Sequence, residues 1–314
     1  MVLKFCQWFT RVFPFWITVA AIVSLLVPAP FTPLASYVTY LIGIVMLAMG
    51  LSMGIEDFRL VLSRPKDVLL GVMLRYCIMP LVAVAVSRLL NLSPVLAAGF
   101  ILVGCSPSAV ASNVMAFISK GDTALSVTVS SLNTLLSPFI TPFMFVLLVG
   151  ETVSVDPVKM LLDIAKVVLL PIALGITLRM LIPELVKKIL PYMPFISTVA
   201  LILIVMPGIA LNASRVLSVA AIAAFGVLLH NSAGLALGFF SAKKLFGLGQ
   251  KKSQAIAFEV GMENTGLAVA LALTYLDPIA AVPAAIFGAC HNITGSVLAS
   301  YWAARAVEED SGQV

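Results

Sequence analysis

Ten apolar stretches, each about as long as a bilayer is thick, dominate this chain and decide what it can fold into. They run at about 13–28, 34–53, 66–89, 94–118, 123–149, 158–182, 190–212, 216–242, 252–276 and 278–305. A soluble domain of 314 residues cannot hide a composition that is 61% hydrophobic and 11% charged, with a mean hydropathy of +1.12. The chain therefore reads as an all-α polytopic membrane protein with ten transmembrane helices, whose surroundings are the lipid bilayer. Its net charge of +5 does not point to nucleic acid, because the basic residues are scattered beside the apolar spans. Cys6, Cys77, Cys105 and Cys290 show no paired spacing, and the last three, lying in apolar spans, are expected to be free and buried. No Cys/His metal spacing, P-loop or dinucleotide fingerprint is present. Lys4 and Arg11 precede the apolar run from Phe13 to Val27, and no small-residue cleavage site follows, so that run reads as a retained first span.

Short turns at Pro28-Ala29-Pro30 and Lys120-Gly121-Asp122, and a longer polar connection from Leu51 to Lys66 containing Glu56 and Asp57, separate the spans. One side of the membrane collects most of the basic residues, among them Arg59, Arg64, Lys66, Lys120, Arg179, Lys187, Lys188, Lys243, Lys244, Lys251 and Lys252. The other side has only Arg88, Lys159 and Arg215. That asymmetry predicts that both termini are cytoplasmic. An acidic connection from Gly150 to Pro157 divides the chain into halves at 1–156 and 157–314. Five spans per half is an odd number, so duplicated halves have to be inserted with opposite polarity, as an inverted repeat.

Polar residues interrupt the fourth and ninth segments at corresponding places. The fourth carries Gly104-Cys105-Ser106-Pro107-Ser108-Ala109-Val110-Ala111-Ser112-Asn113, and the ninth Glu259-Val260-Gly261-Met262-Glu263-Asn264-Thr265-Gly266. Glu259 and Glu263 are four apart and share a helical face. Each charge at mid-bilayer costs about 2.5 kcal/mol or more unless it is paired or coordinated. Interrupted helices at membrane depth survive only inside protein or along a cavity. The pair of breaks points to a cation site at the repeat interface; the alternatives are a structural polar network and ordinary kinks. Ser126 and Ser130 share a face of the fifth span. With Ser112, Asn113 and Glu259 they supply hard oxygens and one negative charge, a set that suits Na+ and leaves a proton on Glu259 as an alternative. Arg75, too deep to reach water, needs a partner, with Glu263 first and Asp163 second. His291 and Asn292 read as substrate contacts, His230 and Asn231 as structural groups.

These residues resemble the bile acid:sodium symporter family over nearly the whole chain. The likeness is carried by Ala111-Ser112-Asn113-Val114-Met115, Ala124-Leu125-Ser126-Val127, Glu259-Val260-Gly261-Met262, Asn264-Thr265-Gly266-Leu267-Ala268 and His291-Asn292-Ile293-Thr294-Gly295-Ser296. The resemblance implies a panel domain (spans 1, 2, 6, 7) and a core domain (spans 3, 4, 5, 8, 9, 10), with spans 4 and 9 broken and crossing. It implies a first Na+ site at Ser112, Asn113, Ser126, Ser130 and Glu259, and a second at Arg75, Glu259, Val260, Met262 and Glu263. Family members with two sodium ions usually carry glutamine at the Arg75 and Glu263 positions. Here an Arg–Glu pair is expected in place of the second ion. Val110 stands where similar chains often have threonine, which puts bile-acid selectivity in question.

The expected function is Na+-coupled symport of an organic anion, a bile acid or a smaller carboxylate such as pantoate, by alternating access. Pro107, Ser108, Val110, Asn264, His291 and Asn292 are the expected substrate residues. The alternative is a proton-coupled or sodium-independent carrier. An enzyme is not expected, since the two histidines lack the spacing for a triad or a metal. The expected setting is the bacterial inner membrane, and a monomer is favoured.

Overall fold

The computed structural model describes residues 2–54, 59, 62–150 and 153–310. Most of these residues are helical, and the only strand-like feature among them is one isolated antiparallel bridge. Among the described residues fifteen α-helices have defined ranges: α1 Val2–Arg11, α2 Phe13–Leu26, α3 Val38–Ser52, α4 Pro65–Leu89, α5 Pro94–Cys105, α6 Ala111–Ile118, α7 Thr123–Val149, α8 Pro157–Ile164, α9 Leu170–Leu181, α10 Pro183–Ile189, α11 Met193–Ala210, α12 Ala213–Phe240, α13 Gln250–Gly261, α14 Thr265–Tyr275 and α15 Ala281–Asp310. A π-turn at Ala165–Leu169 joins α8 to α9. Glu56 and Asp57, in the polar connection, lie outside the described residues.

The starts of these helices are written locally. Proline at the first turn of α4, α5 and α8 presets the helical φ where no N–H partner is needed. Asp122 caps α7 by accepting from the Leu125 amide at 3.0 Å, and Asp156 caps α8 by accepting from the Val158 amide at 2.8 Å.

Among the described residues, seven helices are long and apolar enough to cross a membrane: Thr32–Ser52, Pro65–Leu89, Thr123–Val149, Pro157–Leu181, Pro183–Ala210, Ala213–Leu245 and Pro278–Ala306. An eighth arises if α1 and α2, bent by 72°, act as one span. The apolar segments at 94–118 and 252–276 are each divided into two helices shorter than a span, α5 with α6 and α13 with α14.

Burial is inverted relative to a soluble fold. Leu147, Leu181 and Val297 are at least 67% exposed, while Arg75, Glu259 and Glu263 are fully buried. Lipid accepts the former and cannot accept the latter. The distribution makes this a multi-pass membrane protein. Only one of the three cysteines expected to be buried is so: Cys105. Cys290 is half-buried and Cys77 faces outward, because an apolar span presents part of its circumference to lipid. All four thiols are free.

Candidate ion-binding site at two helix breaks

The α5 helix stops because of one dipeptide. A residue before proline is pushed out of the helical region, and Ser106, before Pro107, sits at φ −73° and ψ 155°. The α13 helix stops at Gly261, and Met262 is extended at φ −114° and ψ 125°. Gly261 is required by packing. A β-carbon there would stand 2.6 Å from Leu235 Cγ and 2.8 Å from the Leu235 amide nitrogen on α12.

The two breaks meet. The Ala109 amide donates to the Met262 carbonyl at 3.0 Å and the Asn264 amide to the Pro107 carbonyl at 2.8 Å, around the antiparallel bridge Ser108–Glu263. Carbonyls freed at the helix ends are taken by side chains. Ser106 Oγ donates to the Leu102 carbonyl and Thr141 Oγ1 to the Cys105 carbonyl, both at 2.8 Å. Asn231 Nδ2 donates to the Gly261 carbonyl at 2.8 Å, and Thr294 Oγ1 donates to Asn231 Oδ1. Irregular backbone at membrane depth needs such partners because lipid supplies none.

Glu259, on the last turn of α13, faces α6 and α7. Its Oε1 accepts from Ser112 Oγ at 2.5 Å and from Ser126 Oγ at 2.6 Å, and its Oε2 is buried with no hydrogen-bond partner. Each hydroxyl proton is also contested. Ser112 Oγ stands 2.6 Å from the Ala109 carbonyl, and Ser126 Oγ stands 2.9 Å from Asn113 Oδ1. Ser130 Oγ lies 3.3 Å from Asn113 Oδ1 and accepts from Asn113 Nδ2 at 3.1 Å. A hydroxyl has one proton to give, so this cluster holds more acceptor oxygens than protons to fill them. A small hard cation remedies that shortage and neutralises the carboxylate. The donor set fits Na+. It does not fit a transition metal, and the described residues contain no group of three or more His, Cys, Asp or Glu side chains placed to hold one.

The region around Glu263 differs. Arg75 Nη2, from α4, donates to Glu263 Oε2 and to the Ser106 carbonyl, so one guanidinium ties together α4 and both breaks. Both side chains are fully buried. A second cation here would meet a permanent positive charge, and the residues do not fit one. The other acid considered for Arg75, Asp163, lies elsewhere: it accepts from Tyr275 Oη and stands 3.9 Å from Lys166 Nζ. Val260 and Met262 are buried apolar packing at the break.

The six expected substrate residues do not share one surface. Val110 is exposed, whereas Pro107, Ser108, Asn264, His291 and Asn292 are buried. Asn264 Oδ1 caps α14 by accepting from the Leu267 amide at 3.1 Å. Asn292 Nδ2 donates to the Gly288 carbonyl on its own helix at 2.7 Å. The His291 ring lies edge-on to Phe287, and its Nδ1 has no hydrogen-bond partner. His230 and Asn231 are structural: His230 Nε2 pairs with the Met79 carbonyl at 3.0 Å, and Asn231 holds the end of α13.

The sequence reading missed Asn133. Its Nδ2 donates to Ser108 Oγ at 3.1 Å, and its carbonyl accepts from Tyr76 Oη at 2.9 Å. A signal was present. Ser126, Ser130, Asn133, Ser137 and Thr141 recur at spacings of three and four, a polar stripe along α7.

The sodium bile acid symporter family matches residues 39–219. The chain is 39% identical over 302 residues to an uncharacterised sodium-dependent transporter, YocS, of Bacillus subtilis, covering 96% of this chain and 94% of that protein. It is 37% identical over 293 residues to the probable chloroplastic sodium/metabolite cotransporter BASS1 of Arabidopsis thaliana, covering 92% and 73% respectively. The rice BASS1 protein is 36% identical over 294 residues, covering 92% and 72%. The chain belongs to the sodium bile acid symporter family: it is a membrane transporter with Na+ as its coupling ion, and not an enzyme.

Proposed function

We propose that this chain carries an organic anion, a bile acid or a smaller carboxylate, across the bacterial inner membrane together with one Na+ per cycle, by alternating access. The observation that carries the reading is the Glu259 cluster: a fully buried carboxylate where two helix breaks meet, among more acceptor oxygens than protons. In this scheme Na+ binds Ser112, Asn113, Ser126, Ser130 and Glu259 and holds the breaks together. Arg75 and Glu263 take the place of a second ion. Pro107, Ser108, Val110, Asn264, His291 and Asn292 border the substrate path, and the N-terminal ends of α6 and α14 bias it toward anions.

The scheme places ten spans in two inverted repeats, 1–156 and 157–314. The segments 94–118 and 252–276 are the broken fourth and ninth spans. A core of spans 3, 4, 5, 8, 9 and 10 rocks against a panel of spans 1, 2, 6 and 7, with both termini cytoplasmic. The unit is a monomer.

Coupling requires each ligand to tighten the other's binding. The test is carboxylate uptake into proteoliposomes under inward Na+ and choline gradients. Uptake driven by Na+, with substrate affinity weaker in choline, is the expected result. Equal affinity in both media contradicts it, and uptake driven by a pH gradient without sodium shows the proton-coupled carrier instead.

A further inference from the structure

A cavity of about 270 Å³ opens at the far end of α4 from the Lys252–Asp67 pair. The 25 residues of α4 separate the two ends by about 37 Å. Ser87, Arg88 and Asn91 give it a polar lining, and Ile101 of α5 and Leu148 of α7 an apolar one. No carboxylate is among its lining residues within the described part of the chain.

Three observations give this cavity a chemical preference. Arg88 makes no ion pair or side-chain hydrogen bond among the described residues, so its charge is available. Ser87 Oγ is buried and has no hydrogen-bond partner, although a helical serine ordinarily returns its hydroxyl to the preceding turn. Ser87 is one of the cavity's lining residues, and its hydroxyl is an unspent donor. The twelve-residue helix α5 begins at Pro94, on the cavity wall, and brings its positive end there. Asn91, held at φ 48°, a conformation asparagine tolerates, is a further polar lining residue.

We propose that this cavity binds an amphipathic anion, with an oxyanion head on Arg88, Ser87 and Asn91 and an apolar tail against Ile101 and Leu148. The same chemistry comes from two sources, an anionic phospholipid of the bilayer or a free amphipathic carboxylate. The proposal stands apart from the Glu259 site and survives if that site carries no ion.

The experiment uses the full chain in phosphatidylcholine nanodiscs. One arm dopes in phosphatidylglycerol and counts lipids retained by native mass spectrometry; the other titrates dodecanoate and follows the thermal unfolding midpoint. Arg88→Ala is expected to weaken binding at least tenfold in the arm that responds, since it removes a charge-assisted contact. Ser87→Ala is expected to weaken it several-fold, and Arg88→Lys to fall between Arg88→Ala and the unaltered protein. Among the described residues neither Arg88 nor Ser87 has a side-chain partner to lose, so ligand-free midpoints should not move. A response to phosphatidylglycerol alone assigns the site to lipid, and a response to dodecanoate alone assigns it to a free anion. Equal affinities of the unaltered protein, Arg88→Ala and Ser87→Ala for both probes, or no binding of either, overturn the proposal.

Discussion

Replacing Glu263 with glutamine strips the buried Arg75 guanidinium of the carboxylate it pairs with. The shape of the side chain barely changes, so the effect is electrostatic. Arg75 Nε and Nη1 already have no hydrogen-bond partner, and the Ser106 carbonyl offers a dipole but no charge. Breaking a buried pair from one side typically costs about 3–5 kcal/mol, because the remaining charge is uncompensated. At roughly 2 °C per kcal/mol for a chain of this size, the unfolding midpoint should fall by about 6–10 °C. Arg75→Gln should cost a similar amount, by orphaning Glu263. The double substitution Arg75→Gln with Glu263→Gln should recover most of the loss, since neither position then carries a charge without its partner. The assay is a double-mutant cycle on unfolding midpoints in one detergent. Single substitutions whose losses simply add in the double would refute the reasoning, showing that the two side chains do not share one interaction.

Three further outcomes follow from the same geometry. Glu259→Gln should abolish Na+-stimulated uptake while leaving the fold intact, because the amide keeps the acceptor oxygen for Ser112 and Ser126; undiminished Na+ stimulation would count against the site. Gly261→Ala should destabilise the protein by about 1–3 kcal/mol through overpacking, since its new methyl group meets the Leu235 backbone and cannot be relieved by a rotamer change; an unchanged midpoint would show that α12 and α13 are not tightly apposed. The Ile279 amide and then the Arg215 guanidinium, 2.6 Å away, hold the exposed Asp277 carboxyl below the usual carboxylate range. Its folded pKa is depressed, so its small contribution is complete above the unfolded value and is lost as pH falls through the folded one. Asp277→Asn should therefore lower the midpoint slightly at neutral pH and flatten its decline in acid, as midpoints measured from pH 7 to pH 3 would show.

Much of this was legible in the sequence for reasons that are local. Span-length apolar runs leave helices as the only sensible state, and Ser106-Pro107 and Gly261 announce where two of those runs fail. Buried charges in lipid need partners, so Arg75 and Glu263 were paired before their positions were known. What the sequence hid was facing. Whether Cys77 points to lipid or to protein depends on which helices surround α4, and period alone does not say. The polar stripe on α7 was visible, yet Asn133 was missed because its partner, Ser108, lies on a separate helix break brought beside it only by the fold. Asn264 and Asn292 are expected substrate residues in the sequence; in the structure Asn292 Nδ2 is spent on a carbonyl of its own helix, and Asn264 turns its oxygen to the amide of Leu267.

Sodium binding to the purified protein, counted with radioactive Na+ at equilibrium, tests the central claim most directly. The account predicts one ion per chain, none in Glu259→Gln, and one still bound after Arg75 and Glu263 are together replaced by alanine. Two ions per chain in the unaltered protein, or one that persists in Glu259→Gln, would contradict it.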